Sequence, residues 1–191
     1  MKKILIIDGH PNENSLCFAL GEAYRSGALD SGVTVKKLRI ADLDFNPNLR
    51  YGYQQRTELE SDLLRAFELL QWADHWVWVH PVWWNGIPAL MKGFIDRLFL
   101  PGFTYEPIIG SLRVKPLMKG KTAHIIASLD QPSWYYRLFS KAPSEYQMKE
   151  SLKLCGVKPI RMTYIGIVKD ATAIQREKWL DKVRHLGQKQ L

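Results

Sequence analysis

Two cysteines in 191 residues, Cys17 and Cys155, are too few for a disulfide framework, and neither stands in a metal-type or redox-type spacing. No metal site is expected, and this cysteine usage fits a reducing, cytoplasmic setting. No apolar run approaches the roughly 18 residues of a membrane helix, which argues against an integral membrane protein. The opening "MKKILIIDGH" has the lysines of a signal peptide, but Asp8 interrupts the apolar run too early for one. A buried first strand is the better reading. The phosphate loops G-x-G-x-x-G and G-x-x-x-x-G-K-[ST] are missing, so the common dinucleotide and nucleotide sites are excluded. With no repeats, low-complexity tract or linker, residues 1–191 read as one domain.

Acidic residues are scarce in one half only. Residues 1–110 carry 11 Lys and Arg against 13 Asp and Glu, whereas residues 111–191 carry 16 against 6. The formal net charge is +8. Such a basic half attracts anions. Its cations are scattered, however, and no recognition motif accompanies them, so no nucleic-acid partner is expected.

Hydrophobic residues make up 46% of the chain, enough for a sizeable core. Their spacing alternates between two patterns. Continuous β-branched or aromatic runs at 2–8, 33–40, 74–80, 121–128 and 158–168 read as strands, several of them buried on both faces. Helical periodicity marks 15–32, 57–73, 87–99, 143–155 and 172–188. Strands alternating with helices predict an α/β protein, a doubly wound sheet of five parallel strands. Five strands favour the flavodoxin-like order 2-1-3-4-5. Two long irregular segments, 41–56 and 100–120, remain.

In such a sheet, ligands bind beyond the carboxyl ends of the strands. Three ends stand out. "DGHPNENSLC" places His10, Asn12, Asn14 and Ser15 just before a helix, where free N–H groups and the positive dipole end suit a phosphate. The same residues serve equally well as an ordinary helix cap. "HPVWWNGIP" precedes a helix whose apolar stripe, N-terminal Pro88 and Lys92–Asp96 pair are explained by structure alone. Trp83 and Trp84 are not needed for a turn. Either they form an aromatic wall for a flat polycyclic ligand, or they cap the core or an oligomer interface. "SLDQPSWYY" brings Tyr135 and Tyr136 after the fourth strand, as donors near a reacting group or as packed rings.

Together, "HPNENS", "ADHWVWVHPVWWNGIPALMKGFIDRLF" and "SLDQPSWYY…LKLCGVKPIR" resemble the flavodoxin-like NAD(P)H:quinone oxidoreductases, the DT-diaphorase kind and their bacterial relatives. Those relatives include ancillary proteins of potassium efflux systems. The resemblance spans nearly the whole chain in order and spacing. It implies bound FAD, or FMN as the alternative. It implies NADH or NADPH as electron donor, a quinone-like acceptor, a ping-pong cycle and a homodimer. Residue by residue, it places His10, Ser15, Leu16 and Cys17 at the flavin phosphates. Pro81, Val82, Trp83, Trp84, Asn85 and Gly86 fall along the ring, and Ser128, Leu129, Asp130 and Gln131 form the third flavin loop. A gapless count puts Tyr136 at the position of the family's active-site tyrosine, with Tyr135 as the alternative. The family's histidine falls at Ala142, and its Thr-Thr-Gly-Gly is replaced by Ser-Leu-Asp-Gln. Two other functions share this fold: a flavin-binding regulator of a membrane transporter, and a flavodoxin-type electron carrier. The carrier's partners usually require an acidic surface, which this chain lacks.

Overall fold

The computed structural model describes residues 1–55 and 57–191. Arg56, the last residue of the irregular segment 41–56, lies outside the described residues. Five parallel strands form the central sheet: β1 (Lys3–Asp8), β2 (Thr34–Arg39), β3 (His75–Pro81), β6 (Thr122–Leu129) and β7 (Ile160–Gly166). Their spatial order is β2-β1-β3-β6-β7, which is the expected 2-1-3-4-5 once the two strands outside this sheet are set aside. All four pairings are parallel. The two remaining strands, β4 (Tyr105–Pro107) and β5 (Val114–Pro116), form a small antiparallel hairpin inside the segment 100–120.

Helices cover both faces: α1 (Leu16–Asp30), α2 (Ser61–Trp72), α3 (Ala89–Leu98), α4 (Ser133–Leu138), α5 (Pro143–Leu154) and α6 (Ala173–Gln188). The continuous apolar runs resolve into period two. Leu5 and Ile7 of β1, with Trp76 and Trp78 of β3, join one core with Leu63, Leu70, Met91, Phe94, Met148 and Leu152. Ile4, Ile6, Val77 and Val79 face the other way, against Leu20, Tyr24 and Val183. Every residue of β3 is buried, as required of a central strand with helices on both sides.

Two features fix the layers. On one face, α1 and α6 approach through glycines. A Cβ on Gly27 would lie 2.8 Å from the Arg184 carbonyl carbon and closer still to its oxygen, and a Cβ on Gly187 would meet the Tyr24 carbonyl. On the other face, Arg97 of α3 is 1% exposed and binds the Glu60 carboxylate at 2.8 and 3.0 Å. It also donates to the carbonyls of Glu58, at 3.0 Å, and Asn46. The long segment before α2 is thereby tied down. Lys92 pairs with Asp96 at 2.6 Å on the other side of α3, as the i,i+4 spacing predicts.

Candidate functional site

The strands β1, β3 and β6 are adjacent, so the three loops after them meet above one edge of the sheet. The first is held by a stepwise set of short-range bonds. The His10 N–H donates to Asp8 Oδ1 at 3.0 Å, the Asn12 N–H to His10 Nδ1 at 2.9 Å, and the Asn14 N–H to Asn12 Oδ1 at 2.9 Å. Each is a side chain accepting from the backbone two residues on, as in an Asx turn. Gly9 begins the loop, its N–H donating to the Val79 carbonyl at 2.8 Å. A Cβ there would lie 2.5 Å from Met91 Sδ, so a larger residue would have to push the Met91 side chain aside.

Ser15 caps α1. Its Oγ accepts from Phe18 N–H at 3.2 Å, and its own N–H donates to the Asn12 carbonyl at 3.3 Å. Two of the four N–H groups that a helix start leaves open are thus used. The N–H groups of Leu16 and Cys17 have no protein partner among the described residues. They sit at the positive end of the helix dipole, a ready anion site. The two readings of this loop are therefore compatible: Ser15 is a cap, and the cap leaves donors free. His10 adds another. Because Nδ1 accepts from Asn12, the proton of the neutral ring sits on Nε2. Burial lowers the His10 pKa, with Asp8 opposing, so the ring favours this neutral form.

After β3, Trp83 and Gly86 exchange two backbone hydrogen bonds, at 3.0 and 2.8 Å. Between them, Trp84 and Asn85 both have positive φ, 49° and 60°. This is a two-residue turn of type I′, normally built from Asn and Gly. The two tryptophans consequently diverge. Trp83 packs edge-on against the His10 ring, with centroids 5.3 Å apart, while Trp84 is fully exposed. Trp83 borders the strand-end cleft, whereas Trp84, the first left-handed residue of the turn, points to solvent.

Beyond β6, the Val82 N–H donates to the Ser128 carbonyl at 2.7 Å, and Ser128 Oγ lies 3.2 Å from Cys17 Sγ, joining all three loops. Burial pushes the Cys17 thiol up to about 12, so it is not a thiolate. Asp130 Oδ1 accepts from Lys169 N–H at 2.8 Å. The carbonyls of Leu129 and Gln131 close on Gly166, where a Cβ would lie 2.7 and 3.1 Å away.

The loops enclose a cleft of about 440 Å³ lined by His10, Ser15, Leu16, Cys17, Pro81, Val82, Trp83, Ser128, Leu129, Asp130 and Val168. Of the residues expected at a flavin, Trp84, Asn85, Gly86 and Gln131 lie beyond this lining. Tyr135 and Tyr136 also lie outside it. Tyr135 is partly exposed and stacks on Phe139 at 4.9 Å. Tyr136 is fully buried in α4. Its hydroxyl donates to the Asn85 carbonyl at 3.3 Å, accepts from Ser144 N–H at 3.1 Å, and meets Ser144 Oγ at 2.7 Å. One proton and two lone pairs are all a phenol offers. None is left for a ligand in this arrangement, which favours the packed-ring alternative for Tyr136.

Sequence reading missed Val168, brought in from the far end of β7, and Asp8. Asp8 is buried, with Oδ2 unpaired among the described residues, and burial raises its pKa against the pull of His10 N–H, Lys37 and Arg39. A carboxylate ending an apolar strand was the available signal. A larger cleft, about 720 Å³, is lined by Leu49, Gly52, Tyr53, Gln55, Thr57, Glu58 and Leu59 with Leu100, Pro101 and Phe103. Among the described residues it shares no lining residue with the strand-end cleft, and none of its lining belongs to the first turn of a helix.

The donor set fits a flavin phosphate: two free N–H groups at a helix start, an imidazole N–H, and an aromatic ring on the adjoining wall. A family model described as flavodoxin-like fold matches residues 2–186. A Haemophilus influenzae protein named as an uncharacterized NAD(P)H oxidoreductase is 26% identical over 168 residues, covering 85% of this chain and 82% of its own. A crystal structure from Streptococcus mutans UA159 superposes with a TM-score of 0.86 at 28% identity, covering 98% of this chain and 99% of that one. An NAD(P)H:quinone oxidoreductase from Methanothermobacter marburgensis superposes with a TM-score of 0.83, covering 99% and 96%; at 21% identity this likeness speaks to the fold. No helix among the described residues is long and apolar enough to cross a membrane. The chain belongs to the flavodoxin-like fold family.

Proposed function

From that membership and the donor row at the start of α1, we propose that the protein is a flavin-dependent NAD(P)H oxidoreductase that reduces a quinone-like or other small electrophilic acceptor. The observation that carries the reading is the cleft itself. The free N–H groups of Leu16 and Cys17 line one side of it and the Trp83 ring another, as a phosphate joined to a flat ring system requires. When bound, a flavin, FAD or FMN, supplies two-electron redox chemistry between the nicotinamide and the acceptor in ping-pong alternation. The protein's own contribution is placement. Leu16, Cys17 and His10 hold negative charge, and the Ser15 cap keeps α1 aimed at it. Pro81, Val82 and Trp83 lie along the ring, and Ser128, Leu129 and Asp130 close the third side. Tyr135, partly exposed, is the hydroxyl free to donate to an acceptor oxygen. The basic second half of the chain raises the local concentration of nicotinamide phosphates.

The proposal extends to a homodimer. Trp84, Trp134, Leu138 and Phe139 are all exposed, on a turn and a helix that touch through Tyr136 and Asn85. Exposed apolar side chains on neighbouring elements favour a partner. Sedimentation equilibrium tests this point, and a monomer at micromolar concentration would remove it.

The central experiment is a flavin titration of the apoprotein, read by tryptophan fluorescence. It is followed by anaerobic NADH or NADPH addition and reoxidation with a benzoquinone. Quenching, a retained yellow colour and bleaching by the nicotinamide are the expected results. Unchanged fluorescence with no colour retained would refute the reading. Mass spectrometry of the released cofactor separates FAD from FMN, and the two nicotinamides are compared by kcat/KM.

A further inference from the structure

We infer that Tyr136 is a positioning residue: its buried hydroxyl locks the Trp83–Gly86 turn and thereby sets the aromatic wall of the cleft. The inference rests on the flavin reading for its consequence, though not for the contact itself.

The turn needs a lock. Left-handed backbone is unfavourable for L residues with a Cβ, and a tryptophan at φ 49° is an uncommon occupant. Trp84 makes no compensating contact through its ring, which is fully exposed. Besides the paired bonds between Trp83 and Gly86, the turn's Asn85 carbonyl accepts from the Tyr136 hydroxyl. A type I′ turn usually takes Gly or Asn at both centres so that no outside support is required. Here one centre is a tryptophan and the support comes from 51 residues away in sequence.

The other end of the contact is equally constrained. Lys141 and Ala142 also have positive φ, 57° and 43°, and lead into α5. Ser144 lies in the first turn of that helix, where N–H groups lack intrahelical partners. The Tyr136 hydroxyl accepts from Ser144 N–H, and the Tyr136 carbonyl accepts from Ala142 N–H at 3.1 Å. A single residue therefore fastens two left-handed pairs to each other. The Tyr136 ring is itself held, edge-on to Tyr164 with centroids 5.7 Å apart. Since Trp83 opens the turn and lines the cleft, a loosened turn releases the ring that faces the ligand.

The test compares wild type, Tyr136→Phe and Ser144→Ala. In flavin-free protein, amide exchange followed by NMR reads the lock directly. Tyr136→Phe should speed exchange of the Trp83 and Gly86 N–H groups about tenfold or more, with the β3 amides of Val77 and Val79 unchanged. Flavin affinity should weaken up to about tenfold, as for loss of one hydrogen bond. The solvent isotope effect on reoxidation should stay at its wild-type value. Ser144→Ala removes one of the three hydroxyl partners and should loosen the same two amides by a smaller factor; it decides the matter if Tyr136→Phe does not fold. Unaltered exchange at Trp83 and Gly86 in the folded variants would overturn the inference. So would weakened stability with flavin affinity unmoved, or a solvent isotope effect that Tyr136→Phe abolishes, which would make the hydroxyl a proton donor. If wild type takes no flavin, the proposed function fails alone, and the amide exchange still decides whether the lock exists.

Discussion

Replacing one glycine of α1 with alanine should stabilise the protein, and replacing another should damage it. Gly21 and Gly27 occupy the same helix, and an alanine in a helix interior is favoured over glycine by roughly 1 kcal/mol. At Gly21, the nearest atom to an added Cβ is Ile6 Cγ2 at 3.6 Å, an ordinary contact. The whole propensity gain should then appear, about 0.5–1 kcal/mol. At Gly27, the added Cβ would be 2.8 Å from the Arg184 carbonyl carbon and 3.0 Å from Gln188 N, both backbone atoms of α6. Contacts between carbon atoms settle near about 3.5–4.0 Å, so the helices must part by close to an ångström along their seam. Overpacking costs about 1–3 kcal/mol or more, and here the neighbour is a helix backbone that cannot rotate away. The two variants should differ by about 2–4 kcal/mol, or about 5–15 °C in Tm for a chain of this size. Calorimetry at neutral pH measures this directly. If Gly27→Ala melts at or above wild type, α1 and α6 are not in close contact and the packing on that face is misassigned.

Other expectations concern the site and its supports. Ser15→Ala should lose about 1 kcal/mol of stability through its helix cap. It and His10→Ala should each weaken flavin affinity by the equivalent of about 1.5–3 kcal/mol in calorimetric titration, if the phosphate is held by charge-assisted bonds. Full affinity in both would move the phosphate elsewhere. Arg97→Met should cost about 1–3 kcal/mol, because two carbonyls lose a buried donor while the Glu60 carboxylate, 34% exposed, is partly rescued by solvent; a urea midpoint within error of wild type would discount that tether. Burial lowers His75 to about 3 and His80 to about 4. The unfolded chain therefore binds protons that the folded state refuses. Their stabilising effect is complete above about pH 6.5 and is lost as pH falls towards those lower values, at up to about 1.4 kcal/mol per pH unit for each histidine. Urea midpoints that stay flat from pH 7 to pH 5 would contradict this.

The five sheet strands and five longest helices were legible because each carries its own pattern: "KILIID" and "HWVWVHP" are unbroken apolar runs, and α2 and α3 are amphipathic over three turns. The β4–β5 hairpin was not, since three residues of strand ending in proline make no period and depend on partners across a loop, such as Tyr105 with Pro116. The helix α4 was hidden for a similar reason: its Trp-Tyr-Tyr run gives no hint of which ring turns inward. The residues left Tyr136 open as donor or packed ring, and its inward position is set by contacts with Ser144 and, 51 residues away, Asn85. The convergence of the three loops was readable from strand order alone. The geometry of the tryptophan turn was not, because Asn-Gly usually fills the two centres of a hairpin turn and here sits one residue later.

The ladder of short bonds through Asp8, His10, Asn12 and Asn14 bears on how fast and how tightly the cleft can fill. Each rung closes within three residues, so the loop reaches its final shape as the chain folds, before any visitor arrives. Flexible anion loops must surrender conformational freedom at the moment of capture, at about 1–2 kcal/mol for each backbone residue stilled. This loop has already surrendered it. Association should then depend on diffusion and the chain's positive charge, with little ordering step, and the heat of binding should carry only a small entropic penalty from the protein.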